Sequence, residues 1–172
     1  VSPPLPVKNA AAIERAIDAS LNAEQREAVM KSLSARLLVL TGGPGTGKTT
    51  TVRALLSAAV SAGRVVALAA PTGRAAKRLT ETTGTEAKTL HRLLEWTPGT
   101  GGFRRCEDEL LEVILLLVDV ASMLDVRLAH AVLRALPPRA QLVLVGDADQ
   151  LPPVGAGQVL RELIASEVAP SV

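Results

Sequence analysis

The chain has 172 residues, of which 48% are hydrophobic, 21% charged and only two aromatic, Trp96 and Phe103. A single cysteine, Cys106, excludes an internal disulfide; the longest apolar run, Val113 to Val118, is far short of the roughly 20 residues a membrane helix needs; and the N-terminus lacks the plan of a secretory signal. One cytoplasmic domain with no membrane partner is the expectation. The net charge of +2 conceals an asymmetry, with 15 Lys/Arg against 7 Asp/Glu up to residue 105 and 4 against 10 after it. Such a split could mark a polyanion-facing side or could simply solvate helix faces.

In chain order, Val1-Ser2-Pro3-Pro4-Leu5-Pro6 opens an extended linker over residues 1–8, because proline fixes φ and removes amide donors. The chain starts at Val rather than Met, which fits a piece of a longer protein. Ala10 to Ala19 suits a short helix, and Asn22 with Gln25 three residues on predicts a capped second helix through about Leu33. These N-terminal helices fill residues 9–34, and residues 35–172 form the main domain. There Leu37 to Leu40 is a compact apolar run that ends in a glycine-rich loop, with a helical stretch from Lys48 to Ala62 behind it. Val65 to Ala70 repeats the plan, running into Pro71-Thr72-Gly73 and a basic helix over Arg74 to Thr82. A third apolar run, Val113 to Val118, leads to a helical stretch through Leu136. A fourth, Gln141 to Val145, leads to Gly146-Asp147 and a last helix near Val159 to Ala165. Trp96 to Gly102 reads as a loop. Four apolar runs without polar alternation, separated by helices, predict a parallel sheet covered on both faces, the α/β three-layer arrangement.

Gly42-Gly43-Pro44-Gly45-Thr46-Gly47-Lys48-Thr49 fits the G-x-x-x-x-G-K-[ST] pattern after a strand and at the start of a helix. Glycines let backbone amides turn inward around phosphate oxygens, and the helix N-terminus adds positive potential. In this pattern Lys48 reaches the β and γ phosphates and the Thr49 hydroxyl ligates Mg²⁺. Leu115 to Val118 followed by Asp119 supplies a strand-end carboxylate for the same metal; capping the Ala121-Ser122-Met123 stretch is the alternative role for that side chain. Gly146-Asp147-Ala148-Asp149-Gln150 concentrates two carboxylates and an amide at the carboxyl edge of a fourth strand, where open α/β sheets bind ligands.

These three motifs, together with LNAEQREAV (21 to 29), APTGRAAKRL (70 to 79) and TLHRLLEW (89 to 96), closely resemble the first motor domain of RecD-like DNA helicases of superfamily 1, relatives of the exonuclease V alpha subunit. Six motifs in the family's order cover nearly the whole chain after the Pro-rich start. The resemblance implies a RecA-like P-loop NTPase core, ATP and Mg²⁺ as cofactors, and ATP-driven 5′→3′ translocation on single-stranded DNA in repair or recombination. By position, Gln25 corresponds to the glutamine that reads adenine. Gly43, Pro44, Gly45, Thr46, Gly47, Lys48, Thr49 and Thr50 correspond to the phosphate site, Thr49 and Asp119 to the metal ligands, and Gln150 to the residue that senses γ-phosphate, with Asp147 beside it. Lys48, Asp119 and Gln150 are thus the implied catalytic set. Pro71, Thr72, Arg74 and Lys77 fall in the motif that lies along DNA in this family, and His91 in the next. A loop hydroxyl and cations at a helix start can hold phosphates without reading sequence. For Arg74, Lys77 and Arg78 a solvated helix face is the other reading, and His91 and Trp96 could equally serve packing.

Two departures stand out. The family's Asp-Glu-Ala-Ser-Met is here Asp119-Val120-Ala121-Ser122-Met123, and the glutamate that would polarise the attacking water is gone. Loss of a positioned base costs about 10²- to 10⁴-fold in rate, so the sequence predicts binding with impaired hydrolysis. The family's remaining motifs, including an arginine from a second RecA-like domain, lie beyond Val172, which makes that domain an implied partner alongside other recombination or nuclease subunits. Two competing readings are a non-catalytic nucleotide- and ssDNA-binding module, for which Val120 is the support, and a P-loop phosphotransferase, which would need a lid and an acceptor site.

Overall fold

A computed structural model describes residues 21–99 and 101–172. The linker and first helix expected over residues 1–19 lie outside the described residues. Each predicted strand of the main domain forms, with ends shifted by a residue or two. Helix α1 (Ala23–Ser34) begins at Asn22 with the reciprocal bonds that the sequence implies: Gln25 N–H donates to Asn22 Oδ1 at 2.8 Å, and Asn22 N–H donates to Gln25 Oε1 at 3.0 Å. It is followed by β1 (Leu37–Thr41), α2 (Lys48–Ser61), β2 (Val66–Ala70), α3 (Gly73–Thr83), β3 (Ala87–Thr89) and the single turn α4 (Leu90–Leu93). A small antiparallel hairpin of β4 (Trp96–Thr97) and β5 (Gly102–Phe103) comes next. The chain ends with β6 (Leu115–Val118), a 3-10 turn (Ala121–Met123), α5 (Val126–Ala135), β7 (Gln141–Gly146) and α6 (Val159–Ser166).

Five of these strands make one sheet in the order β1-β7-β6-β2-β3, every neighbour parallel. The fold is that of an α/β P-loop NTPase. Period-two side-chain alternation sends successive residues of each strand to opposite faces. Leu38, Leu40, Leu115, Leu117, Val143 and Val145 pack with Val29 of α1, Val52, Leu55 and Leu56 of α2 and Leu79 of α3. Val39, Leu116, Val118, Leu142 and Leu144 pack on the other side with Leu90, Leu94, Leu124, Leu128, Val132 and Leu160. Both faces being covered, the strands read as unbroken apolar runs. No helix among the described residues is long and apolar enough to cross a membrane.

Three features depart from the expectation. The sheet has a fifth strand, β3, whose Ala-Lys-Thr sequence carries no apolar run because it lies half-buried at the sheet's edge. Residues at both ends of the expected Trp96 to Gly102 loop are the strand pair of the hairpin. Beyond β1, the backbone of Pro170 to Val172 runs parallel to that strand, Val39 N–H donating to Pro170 O at 3.0 Å and Thr41 N–H to Val172 O at 2.9 Å.

Candidate nucleotide site

The strand order places the loops after β1, β6, β7 and β2 side by side at the carboxyl edge of the sheet. They border a cleft of about 550 Å³, lined by residues 44–49, Thr72, Arg74, Arg78, Asp119, Val120, Gly146, Asp147 and Gln150 among others. A crevice at this edge, where the strand order reverses, is where open α/β sheets take ligands.

The β1 wall is made largely of backbone. Gly47 at φ +85° caps α2 with no side-chain bond, so no side chain of the cap occupies the amides of the helix's first turn. A Cβ there would be strained by the left-handed conformation and would meet Gln25 Nε2 at 2.5 Å. Lys48 Nζ donates to the carbonyl of Gly43 at 2.7 Å and to that of Gly42, and Thr46 Oγ1 donates to Gly43 O at 2.9 Å. The ammonium is therefore held at the loop mouth by acceptors that a phosphate oxygen could replace. Thr49 lines the cleft beside it, whereas Thr50, the third residue of the helix, is exposed and does not. The capping box occupies the carbonyl oxygen of Gln25 and leaves its amide nitrogen directed at Gly47, so α1 and the phosphate loop meet at this side chain.

The facing wall is made of side chains. Asp119 follows Val118 directly, with its N–H bonded to Ala69 O at 2.9 Å. Burial pushes its carboxyl up from the ordinary range, opposed by the Val120 N–H and by the charges of Arg78 and Lys48. A partly desolvated carboxylate facing two cations suits a metal counter-charge. The cap role considered for Asp119 is not adopted: the 3-10 turn begins at Val120 without a side-chain cap, and Asp125 caps α5 through Leu128 N–H at 2.7 Å. Val120 lines the cleft in a left-handed conformation, φ 52° and ψ 40°, where a β-branched residue is an outlier. Asp147 is only 7% exposed; its Oδ1 accepts from Asp149 N–H at 3.0 Å and its Oδ2 from Gln150 Nε2 at 3.3 Å. An ionised carboxylate can only accept, so this bond fixes the NH₂ of Gln150 and leaves Oε1 as the acceptor offered to the cleft. Gly146 permits the close packing here, for a Cβ would meet Leu160 Cδ2 at 2.7 Å and the Ser122 N–H at 3.1 Å. Among the described residues no three His, Cys, Asp or Glu side chains gather as a metal cluster. Thr49 and Asp119, a hydroxyl and a carboxylate lining the same cleft, are a sparse pair of the kind that holds Mg²⁺ together with phosphate oxygens and water.

The residues expected along DNA divide. Thr72, which caps α3 by accepting from Ala75 N–H at 3.3 Å, and Arg74 line the cleft, whereas Pro71, Lys77 and His91 do not. Lys77 is exposed and pairs with Glu81 at 3.9 Å. His91 is exposed and joins Trp96 and Phe103 in an aromatic cluster, with Trp96 edge-on to Phe103 at 4.9 Å between centroids and itself 42% exposed. Arg78, four residues after Arg74 and so on the same face of α3, also lines the cleft, a position that its spacing from Arg74 signals.

A family model described as an AAA domain matches residues 25–156. The chain is 49% identical over 150 residues to the ATP-dependent RecD2 DNA helicase of Deinococcus radiodurans, covering 87% of this chain and 20% of that protein. It is 45% identical over 165 residues to the RecBCD enzyme subunit RecD of Mycolicibacterium smegmatis, covering 82% and 30%. The chain belongs to the AAA domain family, as a RecD-like superfamily 1 motor domain. A solved structure of two coordinating Pif1 helicases on forked double-stranded DNA matches this RecD-like motor domain with a TM-score of 0.57 at 26% identity, over 85% of this chain and 38% of that one. The RecD-like motor domain thus spans well under half the length of these relatives.

Proposed function

We propose that this RecD-like motor domain binds Mg·ATP in the carboxyl-edge cleft and serves as the ATP-binding first motor of a 5′→3′ helicase on single-stranded DNA, with hydrolysis impaired by Val120. The observation that carries the reading is the convergence of Lys48, Thr49, Asp119, Asp147 and Gln150 on one cleft. Mg·ATP, when bound, supplies the transferable phosphoryl group and the neutralising cation. Lys48 would exchange its carbonyl acceptors for phosphate oxygens, Thr49 and Asp119 would hold the metal, and Gln25 would sit where α1 meets the loop to receive the base. Gln150, oriented by Asp147, would offer Oε1 to a water proton. Val120 has no group for that task, so this amide is the acceptor that remains, and an amide is a far weaker base than a carboxylate.

For DNA, the exposed side chains of Lys77 and His91, the half-buried Pro71 before α3 and the cation-rich first 105 residues support a phosphate-tracking surface. The polarity follows from the family resemblance. Because the Mycolicibacterium relative is a subunit of RecBCD, a second motor domain and recombination or nuclease subunits are the proposed partners. The test is calorimetry of Mg·ATP binding to this chain and to Lys48→Ala, with ATPase followed on the same samples with and without oligo-dT. Binding that is lost with Lys48 and accompanied by almost no turnover is the expected result. No binding to the parent chain would remove the nucleotide reading.

Val120 also favours a second reading, a non-catalytic module in which nucleotide is a regulatory or structural ligand. The two separate when Val120→Glu is placed in a chain extended through the second motor domain, since only the motor reading expects ATPase to return.

A further inference from the structure

Helix α3 carries three cations within its 11 residues, Arg74, Lys77 and Arg78. Residues four apart on a helix share a face, whereas adjacent ones stand about 100° apart. The structure sorts them accordingly. Arg74, Arg78 and Thr82 border the cleft, while Lys77 points away to its exposed partner Glu81. The three cations read as one basic stripe in the sequence, yet they serve two surfaces.

Of the two α3 arginines that border the cleft, Arg78 is the one whose charge acts on the Asp119 carboxylate. Across the cleft lie the phosphate loop with Lys48 and the end of β6 with Asp119. The charges of Arg78 and Lys48 both act on the Asp119 carboxylate, from different elements of the cleft wall. A planar fork at the border of a cleft whose floor is a phosphate loop has one fitting class of ligand, the oxygens of a polyphosphate. Its charge reaches Asp119, the carboxylate read here as the metal's, and that points to the terminal phosphate.

We propose that Arg78 is a nucleotide-binding residue of this motor domain, whose guanidinium closes from α3 onto the γ end of a bound triphosphate and lets the protein distinguish triphosphate from diphosphate. The inference rests on the reading of the cleft as a Mg·ATP site. It assigns one cation of the basic helix to the nucleotide, and leaves Lys77, outside the cleft, as the α3 cation toward DNA.

The experiment measures Mg·ATP and Mg·ADP affinity by calorimetry, and oligo-dT affinity by anisotropy, for the parent chain, Arg78→Ala, Arg78→Lys and Lys77→Ala, with circular dichroism melts as the check on folding. A charged hydrogen bond to phosphate sets the expected size: Arg78→Ala weakens Mg·ATP by roughly tenfold or more and Mg·ADP by less than about threefold. Arg78→Lys, which keeps the charge and loses the fork, falls between. Lys77→Ala leaves both nucleotides at parent affinity. Parent-like Mg·ATP binding by Arg78→Ala overturns the inference, as does an equal loss for ATP and ADP, which would put the guanidinium away from the γ end. Loss of oligo-dT with nucleotide unchanged also overturns it, by placing Arg78 on the DNA surface. A parent chain that binds no nucleotide takes down the reading of the cleft, and this inference with it, whereas parent binding that survives Arg78→Ala removes the inference alone.

Discussion

The two walls of the cleft are built on different principles. The β1 wall is backbone: a glycine in a left-handed cap, the amides of a helix's first turn and one lysine parked on the Gly42 and Gly43 carbonyls. The β6 and β7 wall is side chain: Asp119, Val120, Asp147 and Gln150 each contribute by chemical identity. A wall of amides survives almost any change that preserves the chain path, whereas a wall of side chains loses a function with one substitution. Under the proposed function, capture and turnover are therefore separable, with Val120 on the wall where one substitution matters.

The sharpest way to exploit that contrast is to restore the missing carboxylate. Val120→Glu, in a chain extended through the second motor domain, is expected to raise ATPase by about 10²- to 10⁴-fold, while Mg·ATP affinity measured by calorimetry changes little. An affinity change as large as the rate change would show that the walls are not independent. Next in size, Lys48→Ala is expected to weaken Mg·ATP roughly ten- to a hundredfold through loss of charged hydrogen bonds; unaltered affinity in calorimetry would break the account of the β1 wall.

Smaller effects probe the strain and charge of the second wall. A left-handed conformation costs a residue with a Cβ roughly 1–2 kcal/mol, and asparagine tolerates it better. Val120→Asn should accordingly stabilise the fold by about 1 kcal/mol, a rise of roughly 2–4 °C in melting midpoint; a lower midpoint would mean that the valine packs better than it is strained. For Asp119 the sign follows from its raised pKa. The folded state holds this proton more tightly than the unfolded chain, so the contribution to stability is present below the unfolded value and is lost as pH rises through the raised one. At neutral pH the ionised group is a cost. Asp119→Asn without nucleotide should thus melt no lower than the parent at pH 7, and its advantage should shrink as the pH falls. It should also abolish the Mg²⁺ dependence of ATP binding. A melting midpoint clearly below the parent's at neutral pH would contradict this.

The sequence discloses the first wall more fully than the second. The glycine-rich loop, Lys48 and the Asn22 and Gln25 capping box are local patterns, and local patterns fix local backbone; each forms as its spacing implies. The unbroken apolar runs disclose the central strands because both sheet faces are covered. Strand β3 escapes, since Ala87, Lys88 and Thr89 lie half-buried at an edge and need no apolar run. So does the hairpin of Trp96 and Phe103, whose two-residue strands are too short for any periodicity to register. The hydrogen bond from Gln150 to Asp147 depends on how a loop turns, and the cleft-facing position of Arg78 depends on where α3 docks. Neither is a property of spacing alone.

The pairing of Pro170 to Val172 with β1 has a mechanical meaning. An edge strand presents unpaired amides, and here the chain's own end takes them up. Three backbone hydrogen bonds, from Val39 to Pro170, Val172 to Val39 and Thr41 to Val172, join that segment to the strand that ends at the phosphate loop. They lie side by side, so a pull along the chain at Val172 loads them together in shear rather than unzipping them one by one. A displacement of residues 170–172 along the strand is thereby carried to the root of the glycine-rich loop, so that segment and the cleft move as one stiff unit.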